Sequence, residues 1–156
     1  MKWRTFSGQA IESNLIQKVE ETIIRETSMG YKLKLCIGTD SRVCGNIIEY
    51  ATVIVFVREG RGGFMYVSAS NEENKLSLNQ RMITEVAKSI EVAYSLCDLL
   101  EKYNISLEVH ADINSDPNFK SNSALKEAMG YILSMGFVFK AKPDAFASSY
   151  CADKAI

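Results

Sequence analysis

Apolar and polar residues alternate from Lys32 to Arg42. Leu33, Leu35 and Ile37 fall on one face of a strand, and Cys36, Gly38 and Asp40 on the other. Asp40 is thereby expected at the strand's C-terminal end, beside a residue without a side chain, where a metal ion or a phosphate can approach the backbone. The Asp40-Ser41 pair equally suits a turn. Ile47 to Arg58, rich in Val, Ile, Phe and Tyr, predicts a central strand buried on both faces. Phe64 to Ala69 predicts a third strand. Short glycine-containing turns at Cys44-Gly45-Asn46 and Glu59-Gly60-Arg61-Gly62-Gly63 join the three as an antiparallel meander. Asn71 to Lys75 is polar and expected to be exposed.

Helical spacing takes over on either side of the meander. Gln9 to Thr27 places Ile11, Leu15, Ile16, Val19 and Ile23 on one stripe, and Met29-Gly30 ends it. Ser77 precedes Gln80 by three, a capping box that opens a helix running to about Lys102. Its stripe is Ile83, Val86, Ala87, Ile90, Ala93, Cys97 and Leu100. Leu107 to Ile113 alternates again, with Glu108, His110 and Asp112 on the less apolar face. Asp116-Pro117 breaks the chain, Ser123 to Met135 is helical up to Gly136, and Phe137 to Ala141 is a fifth strand. Pro143-Asp144 ends that strand, and Asp144 caps a last helix carrying Asp153. This order predicts an α/β fold. Its sheet is five-stranded and mixed, a meander of three followed by two parallel strands, with helices on both faces and an extra N-terminal helix. One domain over residues 1–156 is expected.

Composition narrows the classes. With 47% hydrophobic and 24% charged residues the chain reads as a soluble globular protein. The longest apolar stretch, Ala51 to Val57, is strand-sized, and the N-terminus lacks the apolar core of a signal peptide, so no membrane partner and a cytoplasmic location are expected. Cys36, Cys44, Cys97 and Cys151 form no C-x-x-C pair, and the chain holds 1 histidine, which argues against structural zinc and for free thiols. A net charge of -1 supplies no overall attraction to nucleic acid. A polyanion would have to be held by local patches or metal ions.

The carboxylates carry the candidate chemistry. If the first and fourth strands lie side by side and parallel, Asp40 and Asp112 approach each other, and two such anions stay ionised only with a cation between them. Oxygen ligands, with His and Cys scarce, point to Mg²⁺ or Mn²⁺. A third carboxylate would come from the Ser77 helix, where Glu85 and Glu91 flank opposite edges of the stripe. Asp153 is a fourth, about one turn after Ser149.

These residues reach a resemblance. Ile37-Gly38-Thr39-Asp40-Ser41, Arg81-Met82 with Glu85, Val109-His110-Ala111-Asp112, Gly130-Tyr131, and Lys142-Pro143-Asp144-Ala145-Phe146-Ala147-Ser148-Ser149 with Ala152-Asp153 resemble the YkuK-like proteins of the ribonuclease H-like group. The similarity runs from about Lys32 to Lys154. It implies a ribonuclease H-like fold and a nuclease hydrolysing RNA or DNA phosphodiesters. It also implies a two-metal site with Asp40 bridging, Glu85 and Asp112 on one ion, and Asp153 completing the other. The chain departs from ribonuclease H in three places. Ile83 follows Arg81-Met82 and the glutamate comes two residues later. No basic protrusion and no histidine-bearing loop precede the last helix.

Auxiliary candidates are His110, which either orients a ligand or moves a proton or is simply a satisfied sheet histidine, Ser41, and Lys142. Lys142, Arg42, Arg81 and Lys154 are candidate phosphate contacts, and Phe146, Tyr150 and Tyr131 candidate stacking residues. The alternative reading is a non-catalytic nucleic-acid- or protein-binding module on the same scaffold. An actin-like ATPase would need a glycine-rich phosphate hairpin after Asp40, and Ser41-Arg42-Val43-Cys44 does not supply one. A haloacid-dehalogenase-type phosphatase would need a second Asp where Arg42 stands.

Overall fold

A computed structural model describes residues 1–114 and 122–156. The chain folds as β1 (Arg4–Thr5), α1 (Leu15–Ser28), β2 (Leu33–Cys44), β3 (Ile47–Arg58), β4 (Gly63–Glu73), α2 (Leu78–Lys102), β5 (Ser106–Asn114), α3 (Asn122–Ser134) and β6 (Val138–Lys142). A π-helical stretch, Ala147–Ala152, then runs into a last turn, α4 (Asp153–Ala155). The strands form one six-stranded sheet in the order β1-β4-β3-β2-β5-β6. The β2-β3-β4 meander is antiparallel, whereas β2 pairs with β5, and β5 with β6, in parallel.

The sheet therefore has six strands, not five. The additional strand is only Arg4–Thr5, set antiparallel against Tyr66 and Val67, too short to carry any periodicity. The N-terminal helix starts at Leu15 rather than Gln9. Asn14 caps it by accepting from the Gln17 N–H at 2.8 Å, while Gln9 and Ile11 are drawn into a turn in which Ile11 N–H donates to Trp3 O. Both β2 and β4 outrun their predicted ends. Cross-strand pairs reach Cys44↔Ile47 and Ile47↔Glu73, so Asp40 lies inside a strand and Asn71 to Glu73 are strand residues. The Asp116-Pro117 break lies outside the described residues.

Periodicity decides the layers. The odd positions of β2 (Leu33, Leu35, Ile37), with Ile54, Phe56, Tyr66, Val109, Ala111 and Ile113, pack beneath Val19 and Ile23 of α1, Val86, Ala93, Leu96 and Leu100 of α2, and Ile132 of α3. The opposite face carries a much smaller cluster of Cys36, Val53, Val55 and Val67 against Ala147 and Ala152. Three helices thus share one face, and among the described residues the C-terminal segment covers part of the other.

The buried face of α2 differs from the predicted stripe. Ala87 is exposed, and Glu85, Ser89, Val92 and Leu96 are inward. The cause is polar. Ser89 Oγ lies 2.7 Å from Thr39 Oγ1, itself 3.0 Å from Thr52 Oγ1, a hydroxyl chain that seats the helix on the sheet. On α1, Ile16 is exposed, while Thr22 meets the Tyr66 hydroxyl at 2.6 Å and wholly buried Glu26 accepts Arg58 Nη2 at 2.5 Å.

Candidate metal centre

The parallel ladder between β2 and β5 ends at Gly38↔His110. Beyond that rung β2 continues against β3, whereas β5 slips in register against β6 between His110 and Asn114. Asp40 and Asp112 each stand two residues past the last shared rung, and so emerge on one face where the strands part.

The C-terminal segment crosses directly over this point. A Cβ on Gly38 would lie 2.4 Å from Ser148 N and 2.6 Å from the Ala147 carbonyl carbon. The bare surface of Gly38 therefore receives the chain's own backbone, not the metal ion or phosphate expected from the sequence. So seated, the segment brings Asp153 into hydrogen-bond contact with Asp40, and Ser149 Oγ donates to Asp112 Oδ1 at 2.9 Å. The π-helical winding has no side-chain N-cap, so Asp144 does not cap it as predicted. From α2, Glu85 reaches the cluster and accepts from Ser41 Oγ at 2.5 Å. Glu91, the alternative on that helix, is exposed. Asp40 is thus within electrostatic reach of Asp112 and Asp153, and Glu85 within reach of Asp40 and Asp112.

Their protonation reflects crowding. Burial, and then the charges of Asp112 and Asp153, push Asp40 up to about 7, against the pull of the Ser41 N–H. Burial, with Asp40 and Asp112 adding repulsion, pushes Glu85 up to about 8, while the Ser41 hydroxyl and Arg81 draw it down. Lys142 Nζ lies 3.0 Å from Asp112 Oδ1, an ammonium on the rim of the cluster. The donor set, all carboxylate and hydroxyl oxygen, fits a hard divalent cation and offers nothing to a soft one.

The remaining candidates divide. Lys142 and Arg81 are at the cluster, and Arg81 Nε is buried without a hydrogen-bond partner. Arg42 is instead drawn to Glu49 at 2.6 Å. Tyr150 is 63% exposed, whereas Phe146 packs edge-on against His110 with ring centroids 4.7 Å apart. The side chain of Tyr131 lies outside the described residues.

His110 is buried and both its nitrogens are engaged. Ala147 N–H donates to Nδ1 at 3.1 Å, and Nε2 lies 3.0 Å from Glu108 Oε1. Because Nδ1 accepts, the neutral ring carries its proton on Nε2 and donates it to Glu108. Burial lowers the imidazole pKa and so favours that neutral form. Cys36, Glu108 and His110 offer ligand atoms within 4.8 Å of one another. Yet Nε2 carries the ring proton and the Nδ1 lone pair is taken by the Ala147 N–H, the thiol is pushed up to about 12 by burial and by Glu108, and Lys34 Nζ already sits 3.3 Å from Glu108. We read this trio as a buried hydrogen-bond network that anchors Ala147, not as a second ion site. Sequence reasoning placed His110 on the correct face. Of the two readings open for it, the satisfied sheet histidine is the one the hydrogen bonds match, and the partner on Nδ1, a backbone N–H, carries no side-chain signal in the sequence.

A mixed sheet whose central parallel pair parts over carboxylates from two strands, a long helix and the C-terminal turn defines an α/β protein built around an acidic centre. The Ribonuclease H-like family profile matches residues 14–156, and the chain belongs to that family. It is also similar to "Uncharacterized protein YkuK" of Bacillus subtilis (strain 168), with 26% identity over 161 residues, covering 94% of this chain and 91% of that protein. Among the described residues, no helix is long and apolar enough to cross a membrane.

Proposed function

We propose that the protein is a divalent-metal-dependent nuclease that hydrolyses phosphodiester bonds in RNA or DNA, with Asp40, Glu85, Asp112 and Asp153 as its metal ligands. The observation that carries the reading is the convergence of four carboxylates from four separate elements, crowded enough that Asp40 and Glu85 are pushed up to about 7 and about 8. Such repulsion is costly unless something is gained from it. One or two Mg²⁺ or Mn²⁺ ions held there would supply the Lewis acidity that phosphodiester hydrolysis requires.

The chain's own groups have separable tasks. Ser41 and Ser149 fix the rotamers of Glu85 and Asp112 through their hydroxyls. Arg81 and Lys142 supply the positive charge that would face a phosphate. His110, through the Ala147 N–H, holds the segment bearing Asp153 in place.

The test is cleavage of labelled single-stranded RNA, duplex, hybrid and branched DNA with Mg²⁺ or Mn²⁺, by wild type and Asp40→Asn. Cleavage that needs the metal and disappears in the variant is expected. Metal-independent cleavage, or full activity in Asp40→Asn, defeats the proposal. The Lys142–Asp112 ion pair favours one second reading, a non-catalytic binding module in which the ammonium permanently occupies the cation's place. That reading requires nucleic-acid or protein binding that survives both chelator and Asp40→Asn.

A further inference from the structure

A groove of about 960 Å³ runs along the outer edge of β4. It exists because β1 pairs with Tyr66 and Val67 only, so that among the described residues no strand lies outside Gly63, Phe64 and Met65. Its floor is Val55, Val57 and Met65, on the face that carries Asp40. Phe146 and Cys151 of the C-terminal segment form one wall.

The charge on the lining is one-sided. Lys18, Arg25, Arg58 and Arg61 line the groove and no Asp or Glu does, in a chain where 19 acidic residues outnumber 18 basic ones. Arg58 is committed to Glu26 buried behind it, and Arg25 also reaches that carboxylate at 4.0 Å. Lys18 and Arg61 have no such partner in the lining. Aromatic rings lie between the cations. Phe6 is 52% exposed, and Phe64 lies beneath Arg25 and Arg58 at 5.7 and 5.0 Å. Cations for phosphates interleaved with ring and guanidinium planes for bases suit a polynucleotide whose base faces are free. A duplex hides those faces and would use only the cations.

Placement ties the groove to the acidic centre. Ala51 is the cross-strand partner of Asp40, and Val55 and Val57 lie four and six residues further along β3 on the same face. That is roughly 13 to 20 Å at the usual rise of a strand. On that face, among the described residues, the C-terminal segment stands between the floor and Asp40, with Cys151 lining the groove, Asp153 in contact with Asp40, and exposed Tyr150 immediately before Cys151, while Arg58 and Phe64 rim the groove from the helix face of the sheet.

We propose that this edge groove binds single-stranded RNA or DNA and anchors it a few nucleotides from the carboxylates. The proposal rests on the nuclease reading for its purpose, though not for its physics. The probe is a fluorescein-labelled 12-nucleotide oligouridylate, followed by anisotropy in chelator so that no cleavage intervenes. The same-length single-stranded DNA and duplex are measured alongside it. Lys18→Glu/Arg61→Glu is expected to weaken single-strand binding at least tenfold. It should also flatten the log–log salt dependence by about 1.4, the share of two phosphate contacts on a single strand. Phe6→Ala should weaken binding with the salt slope unchanged, which separates stacking from charge. Circular dichroism checks that each variant is folded.

Undiminished binding in both variants, no single-strand binding by wild type, or tighter binding of the duplex would each overturn the proposal. The outcomes separate it from the nuclease reading. Loss of binding in the variants of a protein that never cleaves leaves the groove standing alone. Metal-dependent cleavage with the groove variants unaffected leaves only the nuclease.

Discussion

Asp40→Asn is the most informative single change, because it reports on the acidic centre through stability alone, with no substrate required. In the metal-free protein, Asp40 is raised from 3.8 to about 7, mainly by burial and by the charges of Asp112 and Asp153. A carboxyl raised in the folded state binds its proton more tightly there than in the unfolded chain. Its contribution is therefore fully present below about pH 4, declines as pH rises, and is gone above about 7. The whole effect is about 4 kcal/mol at about 1.4 kcal/mol per pH unit, and roughly 3 kcal/mol of it disappears between pH 5 and pH 8. Glu85, raised to about 8, changes in the same direction, and removing the Asp40 charge reduces its repulsion as well.

His110 has the opposite sign, since its lowered pKa makes the folded state lose stability as pH falls below 6.5. It is present in both proteins and cancels in their difference. Urea unfolding of wild type and Asp40→Asn in chelator at pH 5 and pH 8 should therefore diverge. The variant should gain roughly 3 kcal/mol on wild type by pH 8. Adding Mn²⁺ at a hundred times its Kd should then stabilise wild type by about 2.7 kcal/mol and leave the variant nearly unchanged. Parallel stability curves from pH 5 to pH 8, or a variant that loses ground at pH 8, would refute the electrostatic account. An ion that stabilises both proteins equally would refute Asp40 as a ligand.

Two further perturbations test how the centre is held together, and a third tests the buried Glu26–Arg58 pair between α1 and β3. Gly38→Ala puts a methyl group into the Ala147–Ser148 backbone, so it should cost about 1–3 kcal/mol in urea unfolding and abolish metal-dependent cleavage by lifting Asp153 away. Lys142→Met removes the ammonium from Asp112, and should tighten Mn²⁺ binding in titration calorimetry by roughly 3–10-fold, about 1 kcal/mol; unchanged or weaker binding counts against Lys142 as a stand-in cation. Arg58→Met leaves Glu26 buried without its partner and should cost about 3–5 kcal/mol, whereas Glu26→Gln/Arg58→Met should recover much of that loss in thermal unfolding.

The parts of the centre that were legible in the sequence are those fixed by strand parity. The shared face of Cys36, Gly38 and Asp40 and the shared face of Glu108, His110 and Asp112 follow from period-2 alternation, whereas the parallel pairing of β2 with β5 that joins them was a condition the sequence left open and the sheet order supplies. The choice between Glu85 and Glu91 did not follow. A stripe drawn through apolar residues cannot include Ser89 or Glu85, yet Ser89 is what the Thr39 hydroxyl selects, and that rotation of α2 carries Glu85 inward. The two-residue strand Arg4–Thr5 has no pattern to detect, and it leaves open the β4 edge from which the groove is made. The fit of Gly38 to Ala147 and Ser148 joins residues more than a hundred positions apart, and neither partner shows a side-chain signal of the other.

That long-range fit also explains why the centre and the groove share one element. Three helices bury the α1–α2–α3 face, and among the described residues it is the stretch from Ala147 to Ala155 that packs on the other, against a cluster of a few small apolar residues. A thin covering layer has two consequences. It lets the backbone approach the sheet closely enough, over a glycine, for Asp153 to meet Asp40. It also leaves Val57 and Met65 only half-buried at the β4 end, where the groove begins. A bulkier C-terminal helix would bury that floor and hold its own carboxylate further from β2. The small residues of Ala147-Ser148-Ser149 therefore serve both purposes, and enlarging any one of them should disturb the carboxylates before it disturbs the main core.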